Sequence, residues 1–209
     1  MKKIILIVLY SFILRYFLKI FLGIKYQNRQ VLNTTDQFII VANHNSHLDA
    51  VVILSALPSS IIDKTHPVAA ADYFANSGIK KFLSKTFVNT LLIPRKRPEK
   101  EGDPDPIELM CQKLQQGRSL ILFPEGTRGE PEVMQRFRKG IGLLLERFPH
   151  IKVIPVYLEG LGKSLPKGDM VLVPFNSKAL FGEPVTIEHA APEDMALQIE
   201  HKVIDLKTK

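Results

Sequence analysis

Apolar residues follow two alternating patterns along the chain: short continuous runs, and longer stretches with helical spacing. Short runs are typical of strands buried on both faces of a sheet. They predict strands at 38–42, 67–70, 90–93, 119–123, 152–158 and 170–175, and an edge strand at 185–187. The helical stretches predict helices at 47–57, 73–87 (in two parts), 107–116, 140–148 and 192–206. Strands alternating with helices predict an α/β fold with a central, mostly parallel sheet flanked by helices.

The first 26 residues differ from the rest. An uncharged run of 11 residues, 4–14, is followed by Arg15 and Lys19, and about 20 apolar residues are needed to span a bilayer. Arg15 and Lys19 share a helix face with Ser11, while the opposite face is apolar. This pattern predicts an amphipathic helix or helical hairpin in the membrane interface, with both cations reaching lipid headgroups.

Two other interpretations of this segment stay open. A tilted helix could span the membrane with its cations directed to the surface. A cleaved signal peptide is disfavoured, because charged residues rather than small ones follow the apolar run. We therefore divide the chain into a membrane-associating segment, 1–32, and an α/β domain, 33–209.

The composition of the chain limits the classes of protein to which it can belong. Hydrophobic residues make up 45% of 209 residues, enough for a full core in one domain. The single cysteine, Cys111, excludes an intramolecular disulfide and a multi-cysteine metal site. The net charge of +7 favours an anionic partner, such as a phosphate ester, an anionic membrane or a nucleic acid.

The first candidate site is the segment 43–49, in which His44 and Asp49 are five residues apart. On one helix they would lie about 140° apart, so they meet only if His44 precedes a helix that begins near Asp49. Asn45 or Ser46 as N-cap would place them so. Asp49 could then hold one ring nitrogen of His44 and leave the other as a base. The alternative is purely structural, with Ser46 and Asp49 forming a capping box.

Two further segments follow predicted strands. Arg95 comes after the strand at 90–93, and the turn at 123–128 offers amides, a hydroxyl and a guanidinium suited to phosphate. Gly126 there permits positive φ or a close backbone approach. The alternatives are a solvated basic loop at 95–97 and an ordinary β-turn. A fourth segment, 153–156, has Pro155 inside an apolar strand, which predicts a bulge or edge position.

These four segments, in this order, resemble the glycerolipid acyltransferase family, which includes lysophosphatidic acid and glycerol-3-phosphate acyltransferases. The N-H-x4-D motif is matched at residues 43, 44 and 49, and F-P-E-G-T-R is matched in full at 123–128. Arg95 matches the second motif, but Asn89 stands where the family has glycine. Residues 154–156 match the fourth.

The resemblance implies a role for each matched residue. His44 would be the general base, and Asp49 its orienting partner. The binding site for a phosphorylated acceptor would be built by Arg95, Glu125, Gly126, Thr127 and Arg128.

The resemblance also implies transfer of a fatty acyl group to a lysophosphatidic acid-like acceptor in phospholipid biosynthesis. Acyl-CoA or acyl carrier protein would be the donor, with no tightly bound cofactor. No metal is expected, because His44, His47, Asp49 and Glu125 lack the spacing of metal ligands. The protein would be associated with the bilayer, at the cytoplasmic face of the bacterial inner membrane.

No residue has the sequence context of an acyl-carrying nucleophile, so we expect direct transfer in a ternary complex. Other acceptors stay open: glycerol 3-phosphate, a lyso-ornithine lipid or a lipid A precursor. A thioesterase-like hydrolase and a non-catalytic lipid-binding module are further alternatives. Nucleic-acid binding is disfavoured, since no aromatic and basic platform is present.

Overall fold

The computed structural model of the chain describes residues 2–33, 37–74, 89–95, 103–130, 132–164 and 173–208. Within these ranges the strands are β1 (Lys25–Gln27), β2 (Phe38–Ala42), β3 (Thr65–Ala70), β4 (Leu91–Ile93), β5 (Ser119–Leu122), β6 (Lys152–Glu159) and β7 (Lys178–Phe181). The helices are α1 (Lys2–Phe21, with a π-helical middle part at Ile7–Leu14), α2 (Asp49–Ala56), α3 (Pro106–Gln115), α4 (Gly140–Arg147), α5 (Leu161–Ser164) and α6 (Pro192–Ile204). Short 3-10 helices lie at Arg29–Asn33, Ile62–Lys64, Ala71–Phe74 and Asp205–Thr208.

The seven strands form one sheet in the order β1-β7-β6-β2-β5-β3-β4. Five neighbouring strands, from β6 to β4 in this order, run parallel. β7 is antiparallel to β6, and β1 is parallel to β7. The α/β fold predicted from the sequence is confirmed. The carboxyl ends of the five parallel strands meet at one edge, where ligands bind in open sheets of this kind.

Both faces of the sheet are covered. All five residues of β2 are buried, and they alternate between two apolar clusters. Phe38 and Ile40 pack in the cluster that includes α1 and α2, while Ile39 and Val41 pack in the cluster that includes α3, α4 and α6. Since successive side chains of a strand point to opposite faces, a strand covered on both sides reads as a continuous apolar run.

Helix α3 lies within one residue of its predicted bounds, 107–116, and local signals mark both of its ends. Asp105 caps its start by accepting a hydrogen bond from the Ile107 N–H at 2.7 Å, and Pro106 occupies the first helical position. After its last turn, Gly117 has a φ of +69°, the left-handed conformation that ends many helices.

The predicted strand at 170–175 is wrong over its described part. Residues 173–175 form no strand, and the Val173 N–H donates to the Ser164 carbonyl. Pro174 has no N–H to give to a ladder. The strand lies instead at β7, and the predicted edge strand at 185–187 is a single bridge between Val153 and Val185.

The predicted helix at 73–87 falls mostly on residues outside the described ranges. Its first two residues are described, and they belong to the 3-10 helix Ala71–Phe74. The sequence did not predict β1, whose residues pair with β7. The sheet therefore includes residues that precede the predicted domain boundary at residue 33.

Pro155 lies inside β6 and pairs with Val41 of β2. The predicted edge position is wrong, because β6 has β7 on its other side. The ladder to β7 begins only at Val156, and the Pro155 carbonyl accepts from the Gly182 N–H at 2.8 Å. Both main-chain groups of a strand residue point to the same side, so the missing N–H faces this gap and not β2.

Helix α1 is rotated about its axis relative to the predicted orientation, in which Arg15 and Lys19 both reach lipid headgroups. Ser11 and Arg15 face the protein: the Ser11 hydroxyl is buried, and Arg15 binds carbonyls at the end of α2. The outward side is apolar, with Ile4 66% and Ile20 73% exposed. Lys19 is exposed. In the part of the chain that the structure describes, α1 is the one helix long and apolar enough to cross a membrane.

Candidate active site

His44 and Asp49 meet at the edge where the parallel strands end. His44 lies in the connection between β2 and α2, and Asp49 is the first residue of α2. The distance from His44 Nδ1 to Asp49 Oδ2 is 2.8 Å. The Asp49 side chain is fully buried, whereas that of His44 is 23% exposed. The predicted arrangement, histidine before the helix and aspartate in its first turn, is confirmed.

The same carboxylate oxygen also fixes the turn. Asp49 Oδ2 accepts hydrogen bonds from the backbone N–H groups of Asn45 at 2.8 Å and Ser46 at 2.9 Å. The predicted N-cap at Asn45 or Ser46 is wrong, because the helix begins at Asp49 and Leu48 precedes it without a side-chain cap. The carboxylate nevertheless serves both the turn before the helix and the histidine. Since a carboxylate only accepts, Nδ1 of His44 carries the proton in this bond. The other ring nitrogen, Nε2, is left as the base.

The turn at 123–128 lies directly against His44. The rings of His44 and Phe123 stack with centroids 4.3 Å apart. The backbone N–H of His44 donates to Glu125 Oε1 at 2.9 Å, and its carbonyl accepts from the Gly129 N–H at 3.1 Å. The fold thus brings together the two most specific motifs of the sequence.

Glu125 is buried beneath the histidine, with 1% of its surface exposed. Its other carboxylate oxygen, Oε2, is buried and has no hydrogen-bond partner among the described residues. Burial raises the pKa of Glu125 to about 7, and the hydrogen bond from the His44 N–H opposes the rise. In this structure Glu125 holds the main chain of His44, and its predicted contact with the acceptor stays a prediction.

Gly126 has both features that favour a glycine in a turn, a positive φ and a close neighbour. Its φ is +77°, and a Cβ there would lie 2.9 Å from Arg138 Nε. The neighbouring Thr127 hydroxyl lies 3.4 Å from the Arg128 carbonyl. The Arg128 guanidinium contacts the ring of His47.

Arg95 joins the second motif to the third. Its Nε donates to Asp72 Oδ2 at 2.6 Å, and its Nη1 donates to the Gly126 carbonyl at 3.3 Å. Asp72 was not among the residues predicted for the site. A carboxylate shortly after the predicted strand at 67–70, which ends at the same edge, could have indicated it. Lys96 and Arg97 lie outside the described residues.

Asn89 stands at the position where the second motif has glycine. It has a φ of +56°, a conformation that asparagine adopts more easily than most residues. Its side-chain amide donates to the carbonyls of Asp63 and Thr65, each at 3.1 Å. The turn that a glycine would allow is therefore kept by asparagine and held by its side chain.

Two residues of the first motif have positions that sequence reasoning missed. Asn43 is fully buried, and its amide exchanges two hydrogen bonds with the Leu158 backbone, at 2.9 and 2.7 Å. It therefore ties the end of β2 to β6. His47 was placed on the helix but lies in the turn before it. Burial, Arg128 and His44 all lower the pKa of His47.

The family model described as Acyltransferase matches residues 23–159. A chloroplastic 1-acyl-sn-glycerol-3-phosphate acyltransferase of Arabidopsis thaliana is 26% identical over 70% of this chain and 39% of its own length. The enzyme of that name from Helicobacter pylori is 30% identical over 57% and 47%. That from Bacillus subtilis is 27% identical over 78% and 74%.

The match spans less than half of the Arabidopsis and Helicobacter proteins. The fold is similar to the crystal structure of the 1-acyl-sn-glycerophosphate acyltransferase PlsC from Thermotoga maritima. The TM-score is 0.67 at 20% identity, over 89% of this chain and 73% of that one. The family model covers well over half of the chain and includes all four of the motif segments and the first strand of the sheet. The chain therefore belongs to the Acyltransferase family.

Proposed function

We propose that the protein transfers a fatty acyl group from a thioester to the free hydroxyl of a lysophosphatidic acid-like acceptor. The observation that carries this proposal is the His44–Asp49 pair, 2.8 Å apart, beside a turn rich in amides and guanidinium groups. The names of the relatives, 1-acyl-sn-glycerol-3-phosphate acyltransferases, support the choice of acceptor.

His44 acts as general base in the proposed reaction. Its Nε2 takes the proton of the acceptor hydroxyl while the hydroxyl oxygen attacks the thioester carbonyl carbon. Asp49 stabilises the imidazolium that forms. The C–S bond then breaks, and His44 returns its proton to the leaving thiolate. The products are an ester and a free thiol, and no covalent acyl-enzyme is formed.

The acceptor phosphate is held by the cations at the same edge. Arg95 is oriented by Asp72 and by the Gly126 carbonyl. Arg128, on the same turn, supplies a second guanidinium, with donors matched to phosphate oxygens. Thr127 adds a main-chain amide, while the Gly126 N–H closes the turn by donating to the Phe123 carbonyl at 3.0 Å. Glu125 supports this site from beneath by holding the His44 backbone.

The donor is acyl-CoA or acyl carrier protein, and both are anionic partners for a chain of charge +7. Helix α1 presents its exposed apolar side chains to the bilayer. The location that follows is the cytoplasmic face of the bacterial inner membrane, where both donors and the membrane-bound acceptor are within reach of one site.

The test is acyl transfer by the full chain in detergent, with lysophosphatidic acid and either radiolabelled donor. We expect phosphatidic acid from the wild type and a loss of at least a thousandfold for His44→Ala. His150→Ala is the matched control, because this exposed histidine precedes β6 at the opposite edge of the sheet. Arg128→Ala should mainly raise the KM for the acceptor.

Other outcomes would contradict the proposal. Near-normal turnover of His44→Ala would remove the general base. Release of free fatty acid at the same rate with and without acceptor would indicate a hydrolase. Faster transfer to glycerol 3-phosphate, a lyso-ornithine lipid or a lipid A precursor would change the acceptor. Acyl label trapped on Cys111 would contradict direct transfer.

A further inference from the structure

We propose that Arg15 of the apolar helix α1 is a positioning residue for the reaction, acting through α2 on the catalytic Asp49. This inference rests on the proposed function, because it assigns Asp49 to the reacting site. It differs from the role that the sequence predicted for Arg15, which was binding to lipid headgroups.

The contacts of Arg15 are with the end of α2. Its Nε donates to the Ser55 carbonyl at 2.6 Å, and its Nη2 donates to the Leu57 carbonyl at 3.0 Å. Arg29, from the segment after β1, donates to the Ala56 carbonyl between them. The last carbonyls of a helix have no partner within it, and cations are favourable there. The two guanidinium groups therefore bind three consecutive carbonyls at the end of α2.

A neighbouring side-chain contact fixes the same end. The hydroxyls of Tyr26 and Ser55 lie 2.6 Å apart. Tyr26 belongs to β1, so the end of α2 is held by the apolar helix and by the first strand of the sheet. These contacts connect α2 with the residues that precede β2.

The other end of α2 carries Asp49, the partner of His44. The helix has eight residues, which makes it about 12 Å long. Val52, Ile53 and Leu54 in its middle are buried, so α2 moves as a rigid unit between packed neighbours. A shift at its end would displace the Asp49 carboxylate, and a misplacement of about 1 Å can cost up to a hundredfold in rate.

Lys19 provides the matched comparison. It carries the same charge on the same helix, one turn from Arg15, but its side chain is exposed. If Arg15 served headgroup binding, Arg15→Ala and Lys19→Ala would weaken membrane binding alike and leave turnover in detergent unchanged. If Arg15 positions α2, only Arg15→Ala lowers turnover in detergent.

The experiment uses the full chain and three single variants, Arg15→Ala, Arg15→Lys and Lys19→Ala. Acyl transfer is measured in detergent micelles, and binding is measured by flotation with phosphatidylglycerol vesicles. We expect Arg15→Ala to lower kcat about tenfold without raising the KM for the acceptor. We expect partial recovery in Arg15→Lys, because one ammonium group cannot bind two carbonyls as a planar guanidinium does.

A double variant shows whether the effect passes through Asp49. In an Asp49→Asn background, Arg15→Ala should lower kcat less than threefold, since residues acting through one contact have non-additive effects. A purely structural role would give the same tenfold loss in both backgrounds and would overturn the proposal. If Arg15→Ala does not fold, as judged by its melting transition, Arg15→Lys replaces it in this cycle.

The remaining outcomes separate this inference from the proposed function. If the wild type transfers no acyl group, the proposed function fails and this inference fails with it. If the wild type is active and Arg15→Ala keeps the kcat of Lys19→Ala, only the role of Arg15 is refuted. A loss of activity that follows vesicle binding and disappears in detergent would likewise refute it.

Discussion

Replacing Asp49 by asparagine tests the chemistry of the site without removing the turn. The carboxylate oxygen Oδ2 accepts three hydrogen bonds, from the His44 ring and from two backbone N–H groups. An amide oxygen in the same place can accept all three, so α2 should still begin at this residue. What is lost is the negative charge beside the histidine when it carries the transferred proton.

The size of the loss follows from the attraction between the imidazolium and the carboxylate. With their delocalised charges taken as about 4 Å apart, and at an effective dielectric constant of about 20, this attraction is about 4 kcal/mol. Such an energy in the transition state corresponds to a decrease in kcat of about a thousandfold. Asp49 Oδ1 is buried and has no hydrogen-bond partner within the described residues. An amide nitrogen there would lower the free energy of unfolding by about 1–3 kcal/mol.

The assay is phosphatidic acid formation at saturating donor and acceptor, with melting curves recorded for each protein. Asp194→Asn is the matched control, because Asp194 is an exposed carboxylate in the first turn of α6. We expect the control to keep wild-type kcat. If Asp49→Asn retained kcat within about tenfold of the wild type, the carboxylate would serve only the helix cap and the proposed mechanism would be wrong.

Three further predictions concern residues around the pair. The pKa of Glu125 is raised from 4.5 to about 7, so the folded protein keeps a proton that the unfolded chain loses. The free energy of unfolding should therefore fall as pH rises across that window. In urea denaturation at pH 5 and 8, Glu125→Gln should show a smaller change in this free energy than the wild type, and an equal change would contradict the prediction. Asn43→Ala leaves both backbone groups of Leu158 without partners, which should lower the free energy of unfolding by about 2–5 kcal/mol, against little change for an exposed control, Asn176→Ala. Gly126→Ala forces a side chain into positive φ beside Arg138; it should raise the KM for the acceptor with little change in kcat, and an unchanged KM would show that this turn does not bind phosphate.

The sequence by itself determined the class of fold and the family, and it predicted the candidate residues of the site. The strand at 38–42 was predicted with its observed bounds. A strand that helices cover on both faces is buried at every position, so it is visible in the sequence as a continuous apolar run. The pairing of His44 with Asp49 was predicted because a spacing of five permits contact only at the start of a helix. Motif order and full matches at 43–49 and 123–128 indicated the family.

Tertiary structure decided what short-range pattern cannot encode. The strand at 178–181 was missed and one was wrongly expected over 173–175, because a strand of four residues carries a weak pattern and depends on its partners more than on its own residues. Asn43 and Asp72 have their roles because distant segments lie beside them. Arg15 resembles Lys19 in sequence, but its environment is set by a helix forty residues away along the chain. Local spacing specifies which residues share a face, whereas packing alone specifies what that face contacts.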